Sequence, residues 1–281
     1  METGKRYERL RRRASLLGRT GQAARPGKWA LLILAALVAA APMVTMAACS
    51  GPPAIGEVKS AKVGVTNIYF VPCDGGWLQI DCAYPRKYDE YLKKAGEAGV
   101  DPSDVRYLLL THHHDDHAGF AAELMKKQDV VLIVHEKALA PLSEGASRED
   151  MRQVNGCVNA AFSVYSLFHG GVVFPPVVTR KTDLVVTGDD GRILSGIGVK
   201  GVILCTPGHT DDSLSVVLAD GSAFVGDVAM DSLGVCGVQH RPIYVKDIDQ
   251  VYASWRHLQE FGADTIYSAH GEPFSTAELV P

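Results

Sequence analysis

The chain has 281 residues, of which 47% are hydrophobic and 21% are charged, a composition that excludes a disordered or fibrous protein. Residues 1–48 hold nine of the 28 Lys and Arg residues and two of the 32 Asp and Glu residues, which leaves 19 basic and 30 acidic residues, a net charge of −11, in the rest of the chain. Because such an acidic body repels polyanions and no basic run follows Lys28, we expect no nucleic-acid partner.

Residues 1–49 are predicted to be an export signal rather than part of the fold. A basic stretch ends at Lys28, and residues 29–48 carry no charge. The segment closes with Met46-Ala47-Ala48-Cys49-Ser50, which resembles the lipobox of bacterial lipoproteins, where the cysteine receives the lipid. The alternative is an uncleaved membrane anchor, because about twenty apolar residues can span a bilayer. Either way we expect an exported protein, held at the extracytoplasmic face of the membrane through lipid on Cys49 or through this anchor.

The remainder, residues 50–281, is predicted to be a single α/β (α+β) domain, because β-rich runs alternate with helical ones. In its first half, the predicted elements are strands at Val63–Val71 and Trp77–Asp81, a helix at Tyr88–Ala98, a strand at Val105–Leu110, a helix at Ala118–Lys127 and a strand at Val130–Val134. In its second half, they are a helix at Met151–His169 within a helical insertion at about 140–176, strands at Val202–Thr206, Ser213–Leu218 and Ala223–Gly226, a helix at Ile248–Phe261 and a strand at Thr265–Tyr267.

A cluster of histidines and aspartates follows the strand at 105–110 directly, in the segment Thr111-His112-His113-His114-Asp115-Asp116-His117. Side chains alternate along extended backbone, so His112 and His114 point the same way, toward one metal ion, and His113 points away. Asp116 and His117 come where the chain enters a helix, which lets them face a second ion. A catalytic zinc ion normally keeps three protein ligands, so this segment alone is short of donors.

The missing donors stand at the ends of later predicted strands. His209 lies in Thr206-Pro207-Gly208-His209-Thr210, Asp227 follows Phe224-Val225-Gly226, and His270 lies in Ser268-Ala269-His270-Gly271. Together with the first cluster they give seven donors for two ions. The remaining histidines fit no ligand pattern and are expected at the surface or in ordinary packing: His135, His169, His240 and His257.

The order HxHxDH, TPGHT, a GD strand end and a late AHG resembles the signature of metallo-β-lactamase-fold hydrolases over residues 58–275. The resemblance implies an αββα four-layer sandwich with two divalent metal ions, expected to be Zn²⁺ with iron or manganese as alternatives. It assigns ion one to His112, His114 and His209, ion two to Asp116, His117 and His270, and a bridging position to Asp227. It also implies that Asp81 supports the ligands, since Asp81 matches the aspartate of the family's IDxG motif.

Two such ions lower the pKa of a shared water and polarise a carbonyl or phosphoryl oxygen. This predicts a hydrolase of a small ester, lactone or thioester, with Asp116 as the catalytic residue that accepts the proton of the attacking hydroxide. Since the resemblance places a bridging aspartate in lactonases, thioesterases and phosphodiesterases but not in zinc β-lactamases, Asp227 disfavours β-lactam hydrolysis. The alternatives are a phosphodiesterase, a mononuclear iron oxygenase acting on a persulfide, and a lipoprotein that only binds metal.

The expected partner is a small-molecule substrate. The sequence leaves its identity, the oligomeric state and the pairing of Cys73, Cys82, Cys157, Cys205 and Cys236 open.

Overall fold

Two β-sheets pack face to face, with helices on their outer sides, in the computed structural model of the chain. The structure describes residues 57–147, 151–165 and 173–280, without the side chains of 161–165. These residues belong to one compact unit. The predicted export signal and Cys49 lie outside them. None of the described helices combines the length and apolar character that crossing a bilayer requires.

The first sheet has six strands. They are β1 Lys59–Val63, β2 Thr66–Cys73, β3 Gly76–Ile80, β4 Val105–Leu109, β5 Val131–His135 and β7 Leu184–Val186. Their spatial order is β1-β2-β3-β4-β5-β7, antiparallel from β1 to β3 and parallel from β3 to β7. The strand predicted at 63–71 is confirmed as β2 over residues 66–71, but its start was placed too early, because Gly64 adopts a φ of 64° and turns the chain back between Val63, the end of β1, and Thr66.

The second sheet has five strands. They are β8 Gly201–Cys205, β9 Leu214–Leu218, β10 Ser222–Gly226, β12 Thr265–Ser268 and β13 Phe274–Ser275, in the order β13-β12-β10-β9-β8. Only the β10–β12 pair is parallel within this sheet. A separate antiparallel pair joins β6 Arg152–Gln153 to β11 Tyr244–Val245. The predicted strands of the second half are confirmed, whereas β6, β7, β11 and β13 are too short to give a periodic pattern.

The helices are α1 Tyr88–Glu97, α2 Asp115–Ala118, α3 Ala121–Lys127, α4 Leu139–Glu144, α5 Gly156–Tyr165, α6 Arg192–Gly196 and α7 Ile248–Glu260. The helix predicted at 118–127 is broken at Phe120, whose backbone leaves the helical region while its ring packs on Tyr88 and Tyr91. The helix predicted at 151–169 begins later, because Asn155 caps it by accepting a hydrogen bond from the Val158 N–H. Residues 166–169 lie outside the described part.

Alternate side chains of the inner strands point to different layers, and this alternation builds the sandwich. In β2, Ile68 and Phe70 pack on the helical side with α1 and α3, whereas Tyr69 and Val71 pack between the sheets. On the other side, α7 buries Trp255 and its neighbours on the outer face of the second sheet. The layer order is therefore helix, sheet, sheet, helix, as predicted.

A disulfide joins Cys157 of α5 to Cys236, with their Cα atoms 5.4 Å apart. Among the described cysteines, Cys73, Cys82 and Cys205 are free. This pairing ties the insertion to the segment that follows β10. Disulfides persist mainly in oxidising compartments, the kind of compartment that the predicted export would place this domain in. Export itself stays a prediction.

Candidate metal centre

The structure brings all seven predicted ligands together at one edge of the sandwich. They follow β4 (His112, His114), occupy α2 (Asp116, His117), lie between β8 and β9 (His209), or follow β10 (Asp227) and β12 (His270). The strand ends are joined directly, since the Leu214 N–H donates to the Thr111 carbonyl at 2.8 Å.

Gly226 has a φ of 54°, and a Cβ there would lie 2.5 Å from Thr111 Oγ1. Glycine before Asp227 therefore permits the close approach of the two sheets.

Three imidazole nitrogens converge in what we call the three-histidine group, His112, His114 and His209. His112 Nε2 lies 3.0 Å from His114 Nδ1 and 3.2 Å from His209 Nε2. His114 Nδ1 and His209 Nε2 are 3.1 Å apart. Nitrogen ligands about 2.0–2.1 Å from a tetrahedral zinc ion stand about 3.3 Å from one another. The group thus has close to the spacing of three ligands on one ion.

Two histidines and one carboxylate converge beside it, and we call these residues, Asp116, His117 and His270, the mixed group. His270 Nε2 lies 3.3 Å from Asp116 Oδ2, and His117 Nε2 lies 3.7 Å from Asp116 Oδ1. Asp227 faces both groups. Its Oδ1 is 3.3 Å from the Nε2 atoms of His117 and His270, and its Oδ2 is 3.7 Å from His209 Nε2. This is the position that the sequence resemblance implied for a bridging ligand.

Backbone carbonyls fix the rings of two ligands from behind. His209 Nδ1 lies 2.9 Å from the Tyr244 carbonyl of β11, and His270 Nδ1 lies 3.0 Å from the Val65 carbonyl. A carbonyl oxygen can only accept, so each Nδ1 carries a proton and each Nε2 is left to face the centre. Trp255 of α7 helps to place the Asp227 segment, because its indole N–H donates to the Val228 carbonyl at 2.8 Å.

Asp81 performs the same task for His117 from the end of β3. Its Oδ2 lies 2.9 Å from His117 Nδ1 and accepts from Thr111 Oγ1 at 2.8 Å, while its Oδ1 accepts from the Thr111 N–H at 2.7 Å. The Thr111 hydroxyl, having donated to Asp81, is left to accept from His112 Nδ1 at 3.1 Å. One buried carboxylate thereby orients one ligand of each group. Asp81 has a φ of 63°, a conformation that Asp and Asn adopt more readily than most residues.

Burial and neighbouring charge divide the histidines into two kinds. Burial and the proximity of other imidazoles hold the pKa of His112 well below its usual range and lower that of His114 to about 3. Burial also lowers the pKa of His209. The three-histidine group therefore presents neutral rings with free lone pairs, the form in which imidazole binds a metal.

In the mixed group, neighbouring charge outweighs burial. Burial alone would lower the pKa values of both histidines. The carboxylates of Asp227 and Asp116 nevertheless raise the pKa of His270 to about 10 and also raise that of His117. Conversely, burial would raise the pKa of Asp116, but His117 and His270 lower it to about 2. Burial would likewise raise the pKa of Asp227, but His270 and His117 hold it well below its usual range, so the two aspartates remain charged in a largely buried site and attract cations there.

The unpaired buried atoms show whether the residues fit a metal ion. His117 Nε2 and Asp227 Oδ1 are buried and have no hydrogen-bond partner, although buried polar atoms are normally satisfied. Both face the shared centre of the two groups. A donor set of imidazole nitrogens and carboxylate oxygens suits zinc or iron, and a cation would satisfy both atoms. The residues present therefore fit two metal ions.

A second buried histidine–aspartate pair, not predicted from the sequence, lies behind the ligands. His113 points away from the ligand side, as predicted, and its Nδ1 lies 2.9 Å from Asp212 Oδ1. Asp212 follows His209 by three residues in Gly208-His209-Thr210-Asp211-Asp212, so the one available signal was a charged residue next to a ligand loop.

The other described histidines, His135, His240 and His257, belong to none of these ligand groups. His135 Nδ1 accepts from the Lys137 N–H, His240 stacks on Phe274, and His257 lies 2.8 Å from Asp189. Their predicted role in packing or at the surface agrees with these contacts. His169 lies outside the described residues.

Replacing Asp81 by Asn is expected to lower metal affinity by about 10–100-fold, the usual cost of losing a partner behind a ligand. Asn fits the same backbone conformation, but it has only one acceptor oxygen. It therefore cannot accept all three hydrogen bonds that the two Asp81 oxygens accept from His117 Nδ1, Thr111 N and Thr111 Oγ1. Competition with a chromophoric chelator measures the change. Asp104→Asn, at an exposed aspartate beside Arg106, is the matched control and should match the unmodified protein. Equal affinity in both variants would refute the role of Asp81.

Comparison with known proteins adds independent findings. A family model described as the metallo-beta-lactamase superfamily matches residues 61–270. The probable metallo-hydrolase YflN of Bacillus subtilis strain 168 is 20% identical over 250 residues, which cover 83% of this chain and 91% of that protein. A hydroxyacylglutathione hydrolase of Rhodopseudomonas palustris strain HaA2 is 28% identical over 166 residues, or 59% of this chain. That match spans 47% of the relative, so this chain aligns with about half of its length.

Solved structures show the same architecture. A metallo-beta-lactamase family protein from Thermus thermophilus superposes with a TM-score of 0.54 at 20% identity, covering 79% of this chain and 75% of that one. An archaeal metallo-beta-lactamase superfamily protein from Sulfolobus tokodaii gives 0.53 at 20% identity, with coverage of 79% and 82%. At this identity the likeness establishes the shared fold and nothing about substrate.

Proposed function

Because the chain belongs to the metallo-β-lactamase superfamily, a superfamily of metallo-hydrolases, we propose that it holds two divalent metal ions and hydrolyses a small ester, lactone or thioester. The observation that carries the proposal is the position of Asp227, with one carboxylate oxygen toward each ligand group. A single ion at the three-histidine group would leave Asp227 Oδ1, which is buried and has no hydrogen-bond partner, facing His117 and His270 without a ligand role. Two adjacent ions would give both oxygens a ligand role.

The three-histidine group would hold one ion and the mixed group the other, with Asp227 shared. When bound, the two ions would supply a water of lowered pKa and positive charge for the oxygen of the scissile bond. Asp116 is the carboxylate best placed to take up the proton of that water. Its side chain is 17% exposed against 8% for Asp227, so Asp116 is the more accessible of the two from solvent.

Substrate class is proposed from the carboxylates and from the relatives. Acyl transfer to water needs a proton acceptor beside the nucleophile and charge stabilisation at the carbonyl oxygen, and the site can provide both. The name of one relative specifies an acyl-glutathione, which is a thioester. A bridging aspartate is the feature that disfavoured β-lactams at the level of sequence, and Asp227 lies where such a ligand belongs. Lactones, esters and thioesters are therefore the preferred candidates.

A substrate panel on the purified, zinc-loaded, full-length protein tests the proposal. We expect kcat/KM for the best lactone, ester or thioester to exceed that for phosphodiesters and β-lactams by at least about tenfold, or about 1.4 kcal/mol in transition-state stabilisation. Asp116→Asn should lose this activity. Asp115→Asn is the matched control, because Asp115 faces Ser147 rather than the ligand groups and asparagine retains an oxygen to accept its bond.

Two outcomes would contradict the proposal. Preferred turnover of a β-lactam or a phosphodiester would reject the substrate class. Binding of one iron ion per chain together with oxygen uptake on a persulfide would reject hydrolysis in favour of the oxygenase alternative.

A further inference from the structure

Two residues that are not metal ligands join the two halves of the three-histidine group. His113 stands between the ligands His112 and His114 at the end of β4, and Asp212 stands in the loop that carries His209. Their side chains meet at 2.9 Å across the gap between the two sheets, and each is only 2% exposed. The contact therefore connects the segment that supplies two of the three imidazoles to the segment that supplies the third.

We infer that His113 and Asp212 are positioning residues, which set His209 against His112 and His114 and thereby determine how tightly the three-histidine group binds its ion. The inference rests on the proposed function, since it concerns the metal that this function requires. It assigns no ligand role to either residue.

The surroundings of the pair favour this role over ordinary packing. The His113 ring lies edge-on to the ring of the ligand His114, with centroids 5.0 Å apart, so a shift of His113 displaces a ligand. On the other side, hydrogen bonds within the His209 loop hold its two ends together. Thr210 Oγ1 lies 2.7 Å from Ser213 Oγ, and the Thr206 N–H donates to the Ser213 carbonyl at 2.9 Å. Because these bonds fix the shape of the loop, the position of Asp212 determines the position of His209.

The cost of burying the pair also requires explanation. His113 Nε2 and Asp212 Oδ2 have no hydrogen-bond partner although both are buried. A half-satisfied polar pair is less favourable in a protein interior than apolar side chains of the same volume. An apolar pair would lack the directional bond between His113 Nδ1 and Asp212 Oδ1. That bond lies where the segment with His112 and His114 meets the loop with His209, so it fixes their relative position.

Two replacements break the bond and one conserves it. Asp212→Ala removes the acceptor, and His113→Leu removes the donor. His113→Asn conserves a donor, because the asparagine amide can take the place of Nδ1. Asp211→Ala is the matched control, since Asp211 is the neighbouring residue in the loop but is exposed and paired with Lys246.

The readouts are stepwise metal affinity by chelator competition and the visible absorption of the Co²⁺-substituted protein. His209→Ala and His270→Ala, which each remove a ligand from one group, serve to assign the two sites. We expect Asp212→Ala and His113→Leu to weaken the three-histidine site by about 10–100-fold and to change its Co²⁺ spectrum. The mixed site should stay within about threefold of its original affinity, as should both sites in His113→Asn and Asp211→Ala.

Unchanged affinity and spectrum at the three-histidine site in His113→Leu or Asp212→Ala would overturn the inference. Equal weakening of both sites, with His113→Asn as impaired as His113→Leu, would also overturn it, because that pattern indicates general destabilisation. If Asp212→Ala is insoluble, the two His113 variants decide the matter. Failure of the unmodified protein to bind a second ion would instead reject the proposed function, while the affinity of the three-histidine site would still test the inference.

Discussion

Removal of bound metal is expected to abolish hydrolysis and to lower the melting temperature of the protein. Metal that binds only the folded state adds RT ln(1 + [L]/Kd) to stability, about 4 kcal/mol when the free ion is at 1,000 times its Kd. For a domain of this size, that corresponds to a shift in melting temperature of about 10 °C. Thermal melting and turnover of chelator-treated protein, before and after Zn²⁺ is restored, measure both effects.

The physical reason lies in the charges of the mixed group and of Asp227 beside it. Asp116 and Asp227 face one another across His117 and His270, and the donor atoms lie 3.3–3.7 Å apart. Without a cation, the carboxylates are offset only by protons on the two imidazoles, and no Lewis acid is present for the substrate oxygen. Ca²⁺ is the matched control, because its preference for oxygen ligands does not suit a site rich in imidazole. Full turnover by protein without detectable metal would reject a metal-dependent mechanism.

The strands that carry the ligands were predictable from sequence because their signals are local. Apart from the exposed Arg106, residues 105–110 are apolar or aromatic, and the end of this run at Thr111-His112 is marked by an abrupt change to polar residues. The ligand groups themselves followed from the order of four separate motifs, which is far more specific than any one histidine. The structure brings those residues within a few ångströms of one another, as that order predicted.

The supports behind the ligands were mostly not predictable. The Tyr244 and Val65 carbonyls that orient His209 and His270 are backbone groups, which carry no residue-type signal. Their positions depend on the two-residue strand β11 and on the turn after β1, elements too short for a periodic pattern. Asp212 was overlooked for a related reason, since its partner His113 lies 99 residues away in the sequence. Contacts of this kind depend on how the sheets pack, and a single sequence does not encode that as a pattern.

Replacement of Asp227 by Asn is expected to lower kcat by about 10³-fold, equivalent to about 4 kcal/mol of transition-state stabilisation. Asparagine has nearly the same volume, so packing next to Val228 is conserved. However, it loses the negative charge, and one of its two terminal atoms becomes an NH₂ donor. Whichever way the amide turns, that donor faces either His209 or the pair of His117 and His270, so one of the two proposed ions would lose Asp227 as a ligand. Metal analysis should then show one tightly bound ion in place of two.

Asp220→Asn is the matched control for that variant, because Asp220 precedes the same strand, β10, at its opposite end and is exposed. It should match the unmodified protein in turnover, metal content and melting temperature. A folded Asp227→Asn protein that keeps both ions and most of its activity would show that the carboxylate does not bridge them. In that case the three-histidine and mixed groups would have to act as separate sites, and the dinuclear mechanism would fail.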